Sequence, residues 1–289
     1  MSADLLARAA ALPVPFSILS SLRFYRGRRG RGLPGTWFVE LFAELGVTES
    51  AVRQTLYRLE RQHVLATTKV GRTKFYAPTP SAEAAVDVGS EKLFRTASEG
   101  SWDGMWTVVH LQFGNERRDE QNRILDVLRV EGFAPMADGV FIHPRDRWRR
   151  VLDAARALEV DDAVMSFRSR RTDATDPRMT AAFWDLAVVR LAYERFLAAF
   201  EPHARRRARR VDPLHAFAGR LALVHEFLAA AWDDPDLPDE LLPADWPADR
   251  ARRVVQTLYE RWRPLGLAFG DEIMARVTKR GTPAGAGTA

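Results

Sequence analysis

Gly46-Val47-Thr48-Glu49-Ser50-Ala51-Val52-Arg53-Gln54-Thr55-Leu56-Tyr57-Arg58-Leu59 is followed at once by Val64-Leu65-Ala66-Thr67-Thr68-Lys69-Val70-Gly71-Arg72-Thr73-Lys74-Phe75-Tyr76-Ala77. Thr48 is a helix N-cap candidate, with Ala51 at the third position after it, so the reciprocal capping box is missing. At about 100° per residue, Val52, Leu56 and Leu59 fall in one narrow stripe that would face a core. Ser50, Arg53, Gln54, Tyr57 and Arg61 fall on the opposite side, with Arg58 beside them. The second run predicts two short strands joined by the turn Gly71-Arg72.

Upstream, Phe38, Leu41, Phe42 and Leu45 recur at i, i+3, i+4 and i+7 across Thr36 to Leu45, an amphipathic helix that Gly46 stops. Phe16 to Tyr25 predicts a helix before it. Three helices and a hairpin over residues 13–80 make a winged helix-turn-helix. Its third helix suits a major groove, where Arg pairs bidentately with guanine and Gln with adenine. Lys69, Arg72 and Lys74 sit on the wing and suit phosphates or a minor groove. Arg28, Arg29 and Arg31 lie in the basic tract 27–32. Arginine supplies nearly all of the basic charge, and GC-rich coding accounts for that in general. It does not account for the wing, which holds Lys69 and Lys74 of only four lysines, at 69, 74, 92 and 279.

The chain has 289 residues, 46% hydrophobic and 28% charged, which excludes a mostly disordered or collagen-like protein. Cysteine is absent, so disulfides, thiolate metal sites and a cysteine nucleophile are excluded. A net charge of +5 permits a polyanionic partner without demanding one. The apolar stretch from Leu12 to Leu22 carries Pro13, Pro15 and three serines, far short of the roughly 20 residues of a spanning helix. With no signal peptide legible either, a cytoplasmic protein without a membrane partner is expected.

Residues 81–101 are small and polar and read as a connector, in part helical. Strands at Met105–Phe113, Phe133–Met136, Val140–His143 and Ala163–Arg168 alternate with helices at Glu116–Val130 and Arg147–Leu158, and Asp138-Gly139 marks a hairpin. The order βαββαβ over 102–175 is the split, ferredoxin-like unit. Residues 176–280 read as wholly helical, with helices at Ala181–Phe200, Leu214–Ala231 and Asp249–Trp262. Prolines between the last two enforce an ordered loop. The tail 281–289 reads as disordered. The predicted class is thus α+β and mostly helical: a winged helix-turn-helix, a ferredoxin-like domain and an all-α domain for effector binding and dimerisation.

The run 46–59 followed by Val70-Gly71-Arg72-Thr73-Lys74-Phe75-Tyr76 resembles the amino-terminal domain of the PaaX family of transcriptional repressors of phenylacetic acid degradation. Trp102-Asp103-Gly104-Met105-Trp106-Thr107-Val108-Val109 resembles the start of its central domain. His225-Glu226, Asp234-Pro235-Asp236-Leu237-Pro238 and Leu241-Leu242-Pro243-Ala244-Asp245-Trp246-Pro247 resemble motifs of its last domain. The resemblance implies a dimeric repressor on a palindromic DNA operator, released by an aryl-CoA thioester such as phenylacetyl-CoA. One segment departs from the pattern: where similar proteins carry a Gly-Asp and a Pro-Arg-Gly-Gly run, this chain has Phe24-Tyr25-Arg26-Gly27-Arg28-Arg29-Gly30-Arg31-Gly32-Leu33.

The central order also resembles small CRISPR-associated endonucleases, which need an acidic metal ligand at the end of the first strand. Here that strand reads Val108-Val109-His110-Leu111-Gln112-Phe113, without one. No catalytic residue, metal site or cofactor is therefore expected. The alternative readings are a metal-dependent nuclease and a CoA-thioester enzyme with an accessory basic domain. His63 reads as a cation at a helix end, and His215 and His225, ten residues apart, do not form a ligand pair. No Walker, dinucleotide or HExxH motif occurs. For an effector, Trp184, Arg190, Tyr193 and His225 are the candidates. The arginines within 205–210 suit CoA phosphates or, more simply, a solvated loop.

Overall fold

A computed structural model describes residues 2–26, 32–94, 102–170, 183–205 and 211–281. Arg28, Arg29 and Arg31, the end of the connector, the start of the 176–280 segment, the arginines at 206–210 and the tail from 282 lie outside the described residues. Two units emerge: residues 1–95, 197–228 and 252–289 form the first, and 96–196 with 229–251 form the second.

The first unit opens with helices α1 (Ser2–Ala10) and α2 (Val14–Phe24). Pro15 sits in the first turn of α2, where a missing N–H costs nothing. A two-residue strand β1 (Leu33–Pro34) leads into α3 (Gly35–Ala43) and α4 (Glu49–Arg61). The hairpin is β2 (Leu65–Val70) with β3 (Thr73–Pro78), in a sheet of order β1-β3-β2. Strand β1 carries no periodicity to read, and its proline is tolerated at a sheet edge.

Thr48 caps α4 as expected, its Oγ1 accepting from the Ala51 N–H at 3.3 Å. The far end closes with the Val64 N–H on the Leu59 carbonyl and the His63 N–H on the Glu60 carbonyl. That paired closure needs a left-handed residue, and His63 takes it with φ 55°. His63 is thus a backbone corner at the end of α4.

Much of the expected connector is a regular helix, α5 (Pro80–Phe94). Thr79 caps it through its Oγ1, and Leu93 is buried. Tertiary packing holds this helix; its own apolar spacing is too sparse to announce it.

Three long helices follow in the sequence: α8 (Leu186–Arg205), α9 (Pro213–Ala231) and α10 (Ala248–Gly281). Helix α10 runs well past the expected end at Trp262. Pro264 removes one donor, yet the helix continues because Phe269, Ile273 and Met274 are buried beyond it. Helix α8 starts later than Ala181, with Trp184 ahead of its first turn.

Within the first unit, α2 and α3 grip α10. The Tyr25 hydroxyl donates to the Gly266 carbonyl at 2.6 Å and accepts from the Gly270 N–H at 3.1 Å. It replaces one i→i−4 bond of the helix with two bonds through an inserted oxygen. Only glycine fits at 270: a Cβ there would overlap the Tyr25 hydroxyl and lie 2.8 Å from its Cε1. Trp37 Nε1 donates to the Gly270 carbonyl at 2.9 Å, and Arg276 pairs with Glu44. Arg220 of α9 lies buried between the rings of Phe24 and Tyr259, at 4.0 and 4.4 Å from their centroids, a cation–π sandwich that ties α2 to α9 and α10.

The second unit is built on β4 (Met105–Leu111), α6 (Arg118–Val130), β5 (Ala134–Ala137), β6 (Val140–His143), α7 (Trp148–Ala157) and β7 (Val164–Arg170). The antiparallel order β5-β6-β4-β7 is that of the ferredoxin-like unit. One face buries Val109, Leu111 and Val164 against Ile124 and Leu128 of α6 and Val151 and Ala155 of α7. The other face buries Trp106 and Ile142 under Leu237, Leu241 and Leu242, with Trp184 and Trp246 alongside.

Those leucines come from the proline-rich segment, whose order has a specific cause. His143, fully buried, accepts the Arg145 N–H on Nδ1 and so donates from Nε2 to the Pro235 carbonyl at 3.0 Å. Arg147 Nη2 meets Asp236 at 2.8 Å, and Arg145 Nε donates to the Asp236 carbonyl. Asp236 takes φ 58°, with its N–H on Asp234 Oδ1. The Asp234-Pro235-Asp236 turn is therefore a brace for the central sheet. Gly132 permits it, because a Cβ there would come within 2.9 Å of the Pro235 carbonyl.

Candidate nucleic-acid interface

Helix α4 buries Val52, Thr55, Leu56 and Leu59 and exposes Ser50, Arg53, Gln54, Tyr57, Arg58 and Arg61. Each buried aliphatic contributes about 1.5–3 kcal/mol, which fixes the helix's rotation and so fixes which side chains face outward. Tyr57 is 58% exposed, so its ring and hydroxyl are open to solvent on this face. Arg53 is steadied by Glu49 one turn earlier, and Gln54 Nε2 donates to Ser50 Oγ at 3.3 Å. Both groups are exposed, and the Arg53 guanidinium keeps N–H donors beyond the Nε that meets Glu49. The Arg58 and Arg61 side chains are exposed and have no hydrogen-bond or ion-pair partner among the described residues.

The hairpin register places Lys69 directly opposite Lys74. Like charges across a strand pair repel. Glu60 relieves the clash by accepting two bonds from Lys74 Nζ, at 2.6 and 2.8 Å, and one from Thr67. The Lys74 bond holds the Glu60 carboxyl below its ordinary range, and Glu60 in turn raises the Lys74 ammonium. Lys74 is thus tied to the end of α4, a partner the sequence did not reveal. Lys69 and Arg72 are exposed and have no ion-pair partner among the described residues.

The effector candidates are engaged elsewhere. In the second unit, Arg190 forms a bidentate pair with Asp245, at 2.9 and 3.1 Å, and lies over Trp246. Tyr193 is buried, its hydroxyl on Asp234 at 2.7 Å, and Trp184 Nε1 donates to the Gly132 carbonyl at 2.8 Å. These three side chains brace the proline-rich segment. His225 belongs to the first unit, half-buried with its ring edge-on to Phe16, and burial lowers its pKa. Its neighbour Glu226 holds Arg8 through two bonds. Each of the four thus has a partner within its own unit. Among the described residues no three His, Asp or Glu side chains gather to hold a metal, and no single helix is long and apolar enough to cross a membrane.

A cleft of about 190 Å³ does open in the first unit. Sequence reasoning missed it because its walls come from α2, β1, the end of β3 and α5, and the last of these was read as connector.

A ferredoxin-like central domain and an amino-terminal helix with an outward cationic and amide face are compatible with a transcriptional regulator, and the family comparisons point to that class. The family comparisons cover nearly the whole chain in order: a PaaX-like protein profile at residues 17–81, the PaaX protein central Cas2-like domain at 99–181 and the PaaX-like protein C-terminal domain at 184–272. The chain belongs to the PaaX family of regulators. It is 28% identical over 242 residues to the transcriptional repressor PaaX of Escherichia coli (strain K12), covering 80% of this chain and 75% of that one. A solved structure of an uncharacterised protein from Mycobacterium tuberculosis shares the fold, with a TM-score of 0.57 at 19% identity over 88% of this chain and 97% of that one.

Proposed function

We propose that residues 13–80 form a winged helix-turn-helix, that the chain binds a palindromic operator as a homodimer and represses transcription, and that an aryl-CoA thioester such as phenylacetyl-CoA releases it. The observation that carries this reading is the polarity of α4, with Val52, Leu56 and Leu59 buried and Arg53, Gln54 and Tyr57 outward. Helix α4 enters the major groove, and Arg53 and Gln54 read base edges. Lys69 and Arg72 hold the backbone from the wing. The role is regulation in the cytoplasm rather than catalysis, and no cofactor is needed. The thioester acts by favouring a form in which two such helices no longer match half-sites one or more helical turns apart, about 34–36 Å per turn. That requires different ligand affinities in the two forms.

The experiment is fluorescence anisotropy on the protein's own upstream promoter and on random duplex, over a salt series, with and without phenylacetyl-CoA. Promoter-selective, salt-sensitive binding that the thioester abolishes is the expected result. Equal affinity for both duplexes would overturn the operator reading, and promoter binding indifferent to the thioester would overturn the effector.

A further inference from the structure

We infer that the cleft in the first unit is a ligand site, taking a compact apolar group of about one ring carried on an anionic molecule. Its floor is apolar: Leu19 and Leu22 of α2, Leu33 of β1, Pro78 at the end of β3 and Val86 of α5. Its volume is about 190 Å³. An apolar cavity of about 150 Å³ is enough to hold a benzene ring. The cleft therefore suits one ring with a short chain and is far too small for a whole coenzyme.

The rim supplies the charge. Arg23 and Arg26 both line the cleft. Arg26 holds Asp87 at 2.8 and 3.0 Å and reaches Glu83 at 3.4 Å, while Arg23 donates to Ser90 and lies 3.6 Å from Asp87. These pairs are partly exposed, so water already weakens them. Glu83 lines the cleft as well, so a carboxylate, or the phosphates beyond a thioester, takes over the arginines only as Glu83 and Asp87 turn out to solvent.

The position ties occupancy to DNA binding. Ala77 and Pro78 end the strand that carries Lys74, and Leu33 and Pro34 pair with Tyr76 and Phe75 of that same strand. Tyr25, also in the lining, is the residue whose hydroxyl is inserted into α10. A ligand in the cleft thus touches the wing's root and the grip on α10 together. This inference rests on the effector reading above and deepens it by placing the acyl group of the thioester.

The test is hydrogen exchange on the full chain with phenylacetyl-CoA, phenylacetate or coenzyme A, together with promoter anisotropy under the same conditions. Slowed exchange is expected in residues 19–26 and 77–86 with phenylacetyl-CoA or phenylacetate and not with coenzyme A. The two aryl arms distinguish the thioester from the free acid as source. Leu19→Trp and Val86→Phe, both at half-buried helix positions, fill the cleft. Each should weaken ligand affinity at least tenfold while the far-UV spectrum shows the fold intact. Protection confined to other segments, equal protection by coenzyme A alone, no protection by any of the three, or undiminished affinity in both filled variants overturns the site. Protection of the cleft with promoter binding unaffected keeps the site and refutes release, so the two readings fail separately.

Discussion

The insertion of Tyr25 into α10 predicts opposite outcomes for one substitution made at two glycines a turn apart. At Gly266 a Cβ would meet its nearest neighbours, Arg220 Cδ and the Phe217 Cα, at 3.4 Å, an ordinary contact. Gly266→Ala therefore gains the helix preference of alanine, about 0.5–1 kcal/mol. At Gly270 the same methyl displaces the Tyr25 ring. The propensity gain is then opposed by overpacking of about 1–3 kcal/mol. The two bonds of the hydroxyl are lost as well, at roughly 0.5–1.5 kcal/mol each. The expected net loss for Gly270→Ala is about 2–4 kcal/mol, a midpoint lowered by roughly 5–10 °C. Urea and thermal unfolding of the full chain, followed by far-UV circular dichroism, measure both variants. In a Tyr25→Ala background the penalty of Gly270→Ala should vanish, since the colliding atoms are gone. Finding Gly270→Ala as stable as Gly266→Ala, or its penalty undiminished without Tyr25, would refute the inserted hydroxyl.

Further outcomes follow from single sites. His63→Gly should stabilise the chain by about 1 kcal/mol, because φ 55° is costly for any side chain; an unchanged or lowered thermal midpoint would count against the left-handed corner. Burial, then the neighbouring Arg147 charge, push the His143 imidazole down to about 3. The unfolded chain then binds the extra proton first, so stability is full above about pH 6.5 and falls as pH drops toward 3, by on the order of 3–5 kcal/mol. His143→Gln should flatten that slope in urea titrations between pH 7 and 4, and a slope left intact would point to other groups. On DNA, Lys69→Ala and Arg72→Ala should each lower the salt slope by about one, and Lys74→Ala by less, because Glu60 already offsets its charge. Equal slopes for all three would show that the Glu60 pair opens on binding. Arg53→Ala and Gln54→Ala should cost about 1–3 kcal/mol on the operator and relax one base position; equal losses on random duplex would remove their base-reading role.

The sequence by itself determined the local elements whose signals lie within a few residues. Thr48, the stripe of Val52, Leu56 and Leu59, and the turn at Gly71 fix α4 and the hairpin, because capping, helical period and turn chemistry are short-range. The βαββαβ order was legible for the same reason, whereas the bonded order β5-β6-β4-β7 is set by pairings between distant strands. Partners distant in the chain were not legible. Glu60 meets Lys74 only because the hairpin folds back on α4, and the partners of Arg190, Tyr193 and Trp184, namely Asp245, Asp234 and Gly132, are likewise far away in the chain. Helix α5 and the length of α10 beyond Pro264 were hidden too, since packing against other helices overrides weak propensity and one missing donor. The hydroxyl of Tyr25, 245 residues from the Gly270 amide it accepts from, is set by tertiary structure alone. A side chain's chemistry is written at its own position, but what that chemistry is spent on depends on which distant atoms the fold brings within 3 Å.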